Sequence, residues 1–255
     1  MIPDIADVTG LPIHWFGVFL ATAFWAAGWI AGREFERKGL DPEVASSSLV
    51  WAIVGGLVGA RLWLVLSDPA LLLRDPLGAI FTGSGWVFYG GLVGGAVAVT
   101  ILFRRRGIPW LQGADAVAPG IVLAQAIGRI GCQVSGDGDW GVETSGPWGM
   151  RYPYAIGGWP YPDGVFVHPT PVYECVAYLA IFAFLWHRRT RPAPDGRTFG
   201  WYLVLASGAR FLVEFVRTNG VVSFGLTAAQ LTSLALVAVG LVLVGRRAAW
   251  QPVAV

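Results

Sequence analysis

Residues 110–141 read WLQGADAVAPGIVLAQAIGRIGCQVSGDGDWG. An apolar run long enough to cross a hydrocarbon core carries an arginine, Arg129, near its far end, and a glycine-rich acidic loop follows immediately. A central arginine costs roughly 2.5–3.5 kcal/mol on insertion, so arginines in such segments face a polar interior and serve substrates or partner charges. The stretch therefore settles two matters together. The chain is membrane-embedded helix, and Gly128–Gly141 is where its polar chemistry begins.

The rest of the chain agrees. It has 255 residues, of which 55% are hydrophobic and 13% charged, and its mean hydropathy is positive, too apolar for a soluble domain of this size. Windows of about 19 residues, with roughly 20 apolar residues needed per crossing, predict seven helices at about 14–32, 46–67, 85–103, 110–134, 170–187, 199–217 and 226–245. The expected fold is an all-α integral membrane protein forming a single transmembrane domain over 1–255.

Positively charged loops stay cytoplasmic. Placing the N-terminus outside gathers Arg33, Arg37, Lys38, Arg104, Arg105, Arg106, Arg188, Arg189, Arg191, Arg197, Arg246 and Arg247 on the cytoplasmic side, which is 12 of the 18 basic residues. Arg74, Arg151 and Arg217 fall outside, and Arg61, Arg129 and Arg210 lie within helices. The expected topology has the N-terminus out and the C-terminus in. The opening MIPDIADVTG is acidic and has no basic n-region, so it is not read as a cleavable signal peptide. Cys132 and Cys175 lie near the outer ends of their helices, where two unpaired thiols are preferred over a disulfide.

In chain order, GREFERKGLDPE (32–43) reads as a solvated cytoplasmic loop. GGLVGARL (55–62) carries small residues that let helices approach closely. Residues 67–84, with Pro69, Pro76 and an LLL run, read as an outer arm along the membrane surface. Asp115 and Pro119 are expected to break the fourth helix near its inner end, with Asp115 capping the break or pairing across the bundle. Residues 135–168 are rich in Gly and Pro but carry three Trp and three Tyr, which predicts an ordered periplasmic head, since flexible linkers are Ser-rich and poor in aromatics.

Alternating helix direction puts Arg61, Tyr89, Arg129, Glu174, Arg210 and Glu214 within about seven residues of an outer helix end, or roughly 10 Å of the outer interface at 1.5 Å per residue. Arg210, Glu214 and Arg217 share one helical face by their i, i+4, i+7 spacing. Asp137 and Asp139 lie just above. Plainer readings exist for each: Arg61 snorkels to headgroups, Tyr89 is an interfacial aromatic, the Arg210 stripe is an internal ion pair, and His168 caps the fifth helix. Together they suggest one cavity. An excess of guanidinium over carboxylate at that depth favours an anionic ligand, and its planar fork suits phosphate. A phospholipid headgroup combines that anion with apolar chains. No metal site, nucleotide loop or nucleic-acid surface is legible, and no cofactor is expected.

GRIGCQVSGDGDWG, with FYGGLVGG (88–95), HPTPVYE (168–174), RFLVEFVR (210–217), VGARL (58–62) and DAVAP (115–119), resembles the prolipoprotein diacylglyceryl transferase family along nearly the whole chain. The resemblance implies a multi-pass enzyme of the bacterial inner membrane with its active site facing the outer leaflet. Such an enzyme moves the diacylglyceryl group of phosphatidylglycerol to the lipobox cysteine of a preprolipoprotein signal peptide and releases glycerol phosphate. It implies that Arg129 and Arg210 clamp phosphate, with Arg61, Cys132, Asp137, Asp139, Gly141, Glu174, Glu214 and Arg217 around the substrates.

The chain also departs from the family pattern. Tyr89 stands where the family usually has His, Cys132 where it has Asn, and Ser135 with Asp137 or Asp139 where it has a later Asn and Glu. Tyrosine, with a pKa near 10, is a poor base, but a thiol acceptor with a pKa of about 8.5 needs little help beside arginines. Tyr89 or His168 is the candidate base. Two alternatives stay open: a paralogue that passes the same lipid group to another acceptor, and a non-catalytic phospholipid-binding membrane protein.

Overall fold

The computed structural model describes residues 14–68, 88–156 and 158–246. Among them are seven α-helices: α1 (Trp15–Arg37), α2 (Pro42–Ser67), α3 (Phe88–Arg105), α4 (Trp110–Ser135), α5 (Thr170–Arg188), α6 (Arg197–Val213) and α7 (Ala228–Gly245). A 3-10 turn, Glu214–Val216, extends α6, and a short antiparallel hairpin, β1 (Val221–Ser223) and β2 (Leu226–Thr227), precedes α7. The expected outer arm and the MIPDIADVTG segment lie outside the described residues, apart from Ser67 and Asp68 at the end of α2.

Among the described residues, five helical stretches are long and apolar enough to cross a membrane: Trp15–Arg37, Pro42–Ser67, Trp110–Ser135, Arg197–Val216 and Ala228–Gly245. The apolar runs of α3 and α5 are diluted by Arg104 and Arg105 and by Glu174, His187 and Arg188. Local sequence accounts for several helix ends. Asp41 caps α2 by accepting from the Glu43 amide at 2.9 Å, with Pro42 at the first helical position, where its missing N–H costs nothing. Thr227 and Gln230 form a reciprocal capping box at the start of α7, satisfying two otherwise unpaired amides.

The chain divides into two compact units, 31–116 and the described residues before and after it. In the first, α2 and α3 meet backbone to backbone. A Cβ built on Gly59 would sit 2.7 Å from Gly94 Cα, and one on Gly94 would sit 2.7 Å from Gly59 Cα. This close approach is the use membrane helices make of small residues.

Two expectations are corrected by α1 and α4. GREFERKGLDPE is not a solvated loop: α1 continues through Arg37, Phe35 is buried against Phe103 with ring centroids 6.2 Å apart, and buried Glu34 pairs with Arg37 at 2.6 Å. Apolar Phe35 between charged neighbours keeps the helical period, so the turn packs instead of fraying. Nor is α4 broken at Asp115 and Pro119. The helix runs through both, and buried Asp115 pairs with Lys38 at 3.8 Å.

In the other unit, Val122 and Ala126 of α4 pack with Tyr178, Ile181 and Leu185 of α5 and Ala206 of α6. Gly200 of α6 meets Gly240 of α7, where a Cβ on Gly240 would lie 2.7 Å from the Gly200 carbonyl. Residues 136–168 fold over a small aromatic core in which buried Trp140, Tyr152 and Val167 pack with Trp159 and Tyr161. Tyr152 donates to Gln133 Oε1 at 2.9 Å, tying this core to the end of α4, and burial pushes its hydroxyl up to about 12.

Gly94→Val would drive a branched side chain into the Gly59 backbone, which has no rotamer with which to yield. Overpacking of this kind costs about 1–3 kcal/mol. The thermal unfolding midpoint of the purified protein in detergent should fall accordingly, while Gly32→Ala, with open space at that position, should leave it unchanged.

Candidate active site

The fifth helix begins with a turn that carries a charge into the buried interior. Glu174 is fully buried, and three arginines from different elements converge on it. Arg129, near the end of α4, brings Nε to 3.0 Å of Glu174 Oε2. Arg210 of α6 brings Nε to 3.6 Å of Oε1, and Arg217, just beyond the 3-10 turn, brings NH1 to 3.7 Å of Oε2. Tyr178, one turn along α5, adds a hydroxyl donor at 3.4 Å.

Two further carboxylates complete the cluster. Glu214 Oε2 pairs with Arg210 NH1 at 2.5 Å and Arg217 Nε at 3.6 Å, while its Oε1 accepts from Asn219 Nδ2 at 2.8 Å and Thr227 Oγ1 at 2.7 Å. Asp139, from the loop after α4, binds Arg129 NH1 through Oδ2 and Arg217 NH2 through Oδ1 at 2.5 Å. The Asp139 carbonyl accepts from Arg217 NH1 at 3.0 Å and from the Thr170 hydroxyl. Burial alone would push the Asp139 carboxyl up, but the Arg129 and Arg217 guanidinium groups outweigh it and hold it below its ordinary range.

The three arginines are not equivalent. Arg217 is 8% exposed and engages Asp139, Glu174 and Glu214 with all three of its nitrogens. It is a strut. Arg129 and Arg210 are 23% and 22% exposed, and their nearest approaches to the carboxylates are made through Nε and NH1. Glu174 thus holds these two partly exposed guanidinium groups, one on each oxygen. Such a pair is suited to grip a planar or tetrahedral oxyanion.

Charge in this cluster balances, the three guanidinium groups of Arg129, Arg210 and Arg217 against the three carboxylates of Glu174, Glu214 and Asp139. The excess read from the sequence depended on Arg61, which the structure places on α2 in the other unit, together with Tyr89 at the exposed start of α3. Arg210, Glu214 and Arg217 do pair along their stripe, but each also reaches another element. Asp137 is exposed and accepts from the Asp139 amide at 3.2 Å, bending the loop.

Cys132 is a buried free thiol, with Arg129 NH1 3.7 Å from its sulfur, and Cys175 is also free. Cys132, Asp137 and Asp139 offer ligand atoms within 4.8 Å of one another. With both Asp139 oxygens on guanidinium groups and Arg129 against the thiol, the local field opposes a metal ion.

Gly141 locks the loop to the cluster. Its amide donates to the His168 carbonyl at 2.8 Å, it bridges Arg217, and a Cβ there would lie 2.9 Å from both His168 Cβ and Thr170 Cγ2. His168 does not cap α5, since Pro169 occupies that position without a side-chain cap. Its Nδ1 lies 3.0 Å from Tyr173 Oη, and its ring lines a groove of about 550 Å³ with Trp148, Tyr173, Leu212, Val213 and Val216.

The residues missing from the sequence reading are the neutral supports Thr170, Tyr178, Asn219 and Thr227. The T-x-x-Q spacing of Thr227 and Gln230 is a readable capping signal; a hydroxyl contact to a carboxylate 13 residues away is not.

A profile described as prolipoprotein diacylglyceryl transferase matches residues 3–246. The chain belongs to the prolipoprotein diacylglyceryl transferase family. Curated relatives named phosphatidylglycerol–prolipoprotein diacylglyceryl transferase include those of Clostridium tetani, 29% identical over 247 residues (94% of this chain, 96% of the relative), and Symbiobacterium thermophilum, 34% identical over 251 residues (94% and 91%). The relative in Nitrosomonas europaea is 30% identical over 253 residues (94% and 88%). Within the prolipoprotein diacylglyceryl transferase family, this chain's GRIGC segment supplies Arg129, and its SGDGDWG loop supplies the acidic partner Asp139.

Removing the charge of Glu174 leaves three guanidinium groups without their shared carboxylate. Glu174→Gln should destabilise the protein by about 3–5 kcal/mol, the cost of breaking a buried pair from one side, read as a lowered unfolding midpoint.

Asp139 supplies a pH dependence. Because its folded pKa is lowered, its contribution is present above the ordinary carboxylate pKa and is lost as pH falls through the lowered value. Asp139→Asn should lower the midpoint at neutral pH and flatten the acid limb of its pH profile.

Proposed function

We propose that the chain transfers the diacylglyceryl group of phosphatidylglycerol to the lipobox cysteine thiol of a preprolipoprotein. The observation carrying this reading is the pair of partly exposed guanidinium groups, Arg129 and Arg210, held by one buried carboxylate. In the reaction, the cysteine sulfur attacks the glycerol carbon bearing the phosphate, a C–S bond forms as the C–O bond breaks, and glycerol phosphate departs with the bond's electron pair. The thiol proton goes to a base or to water.

The phosphate gains negative charge as that C–O bond breaks. Preorganised donors aimed at developing charge lower the barrier most where water is excluded. Arg129 and Arg210 therefore act on the leaving group, while Glu174, Glu214, Asp139 and Arg217 fix their positions. Cys132, Asp137 and Gly141 shape the wall next to Arg129, and Arg61 faces the lipid phosphate region from its own helix. On the acceptor side, His168 with its Tyr173 partner, or Tyr89, assists loss of the thiol proton, and the groove beside His168 receives the apolar signal peptide.

The same reading gives the chain seven membrane spans in a single transmembrane domain over 1–255. The N-terminus and the 135–168 head lie on the outer side of the bacterial inner membrane, and the C-terminus is cytoplasmic. Its partners are then phosphatidylglycerol, the preprolipoprotein signal peptide and the bilayer itself; no nucleic acid is involved.

Purified protein in vesicles with labelled phosphatidylglycerol and a lipobox peptide should yield diacylglyceryl peptide and glycerol phosphate in equal amounts. Arg129→Lys and Arg210→Lys should each lower kcat/KM by roughly 10²-fold or more, because a lysine loses the planar fork at the developing charge. Phospholipid binding without glycerol phosphate release by the unsubstituted protein would overturn the reading.

A further inference from the structure

Between the last turn of α6 and the start of α7 the chain makes a hairpin whose two ends have opposite chemistry. Its base is polar and belongs to the arginine cluster: Asn219 and Thr227 donate to Glu214 Oε1, and Glu214 in turn pairs with Arg210. Its tip is apolar. Val221 and Val222 are exposed, and Phe224 is 93% exposed.

The tip is also conformationally unusual. Phe224 and Gly225 have φ of 52° and 74° and join β1 to β2 as a two-residue turn. Two-residue turns with positive φ at both positions favour Asn-Gly or Asp-Gly, because a bulky side chain is disfavoured in left-handed backbone. Phenylalanine here is unfavourable twice over in water, once for its backbone and once for its bare ring. Lipid removes the second penalty.

The position of the hairpin favours lipid as the occupant. It connects two stretches that each suffice to cross a membrane, Arg197–Val216 and Ala228–Gly245, and an eleven-residue link keeps its tip close to where both end. Leu212 and Phe215 at the end of α6 are exposed apolar residues like those of the hairpin tip. An aromatic at such a boundary sits at headgroup level.

We propose that the hairpin formed by residues 217–227 is a membrane-contacting lip of the donor site. Phe224, Val221 and Val222 enter the interface of the leaflet that supplies the phospholipid, and Asn219 and Thr227 hold Glu214, and through it Arg210, at the edge of that leaflet. This rests on the transferase reading for its consequence on turnover but not for the membrane contact itself. The lip brings the headgroup-binding arginine to the depth at which phospholipid headgroups arrive.

The contact is tested with Phe224→Cys carrying an NBD label in vesicles of phosphatidylcholine and phosphatidylglycerol, with the parent chain, whose two cysteines are buried or half-buried, labelled alongside as background. Quenching by lipids spin-labelled near the headgroup, with protection from aqueous iodide, is the expected result. Iodide quenching without lipid quenching, or shielding that appears only when lipobox peptide is added, would overturn the proposal; the latter would make the tip a peptide surface.

This readout does not depend on turnover, so an inactive parent would refute the transferase reading and leave the lip standing. In the active protein, Phe224→Asn keeps the turn, since asparagine accepts left-handed backbone, and removes the ring. It should raise KM for phosphatidylglycerol roughly three- to tenfold through lost apolar contact, with kcat and the KM for peptide little changed. An unaltered phosphatidylglycerol KM would count against the lip.

Discussion

A single carboxylate with no access to solvent, Glu174, organises the polar half of this molecule. Buried alone it would cost several kcal/mol, more than any one hydrogen bond returns. Its partners at 3.0, 3.6 and 3.7 Å come from the end of α4, the last turn of α6 and the residue after the 3-10 turn. Three separate chain segments must therefore arrive together before the charge is tolerable. Because Glu174 is buried, salt screens its pairs far less than a surface pair. The cluster is accordingly a folding constraint before it is a site, and the two arginines it leaves partly exposed gain their orientation from it.

The loop after α4 is fastened to that cluster by main chain as much as by charge. Val142 donates to the Val216 carbonyl at 2.8 Å, Gly141 to His168, and Thr144 to Phe166 at 2.9 Å. These bonds lace the loop between the entry to α5 and the exit from α6, so that Asp139 reaches Arg129 and Arg217 from a fixed backbone. The aromatic core of Trp140, Tyr152 and Trp159 supports the other side. A loop with this many glycines would otherwise be mobile, and its precision comes from being pinned on two faces.

The helical parts were legible because membrane helices announce themselves by length and apolar content, and every stretch read as a span contains a helix among its described residues. The polar residues were legible as a group because alternating helices bring sequence-distant residues to one depth. Depth, however, says nothing about which of them touch. The i, i+4, i+7 stripe put Arg210 and Arg217 on one helical face without saying how deeply each is buried. What separates those two is exposure, 22% for Arg210 against 8% for Arg217, a property of tertiary packing. The buried turn at Phe35 was missed because charge density outweighed one aromatic in a window average. The hairpin at 221–227 was missed because two short strands leave no periodicity to read.

The seam between α2 and α3 has a different consequence. Where two side chains interlock, a substitution on one helix is often accommodated by trimming its neighbour. At Gly59 and Gly94 each residue is faced by the other's backbone, and backbone cannot be trimmed. These positions have no second-site suppressor on the facing helix. A larger residue at either position is accommodated only by moving the helices apart, so this pair of glycines sets the spacing between their axes.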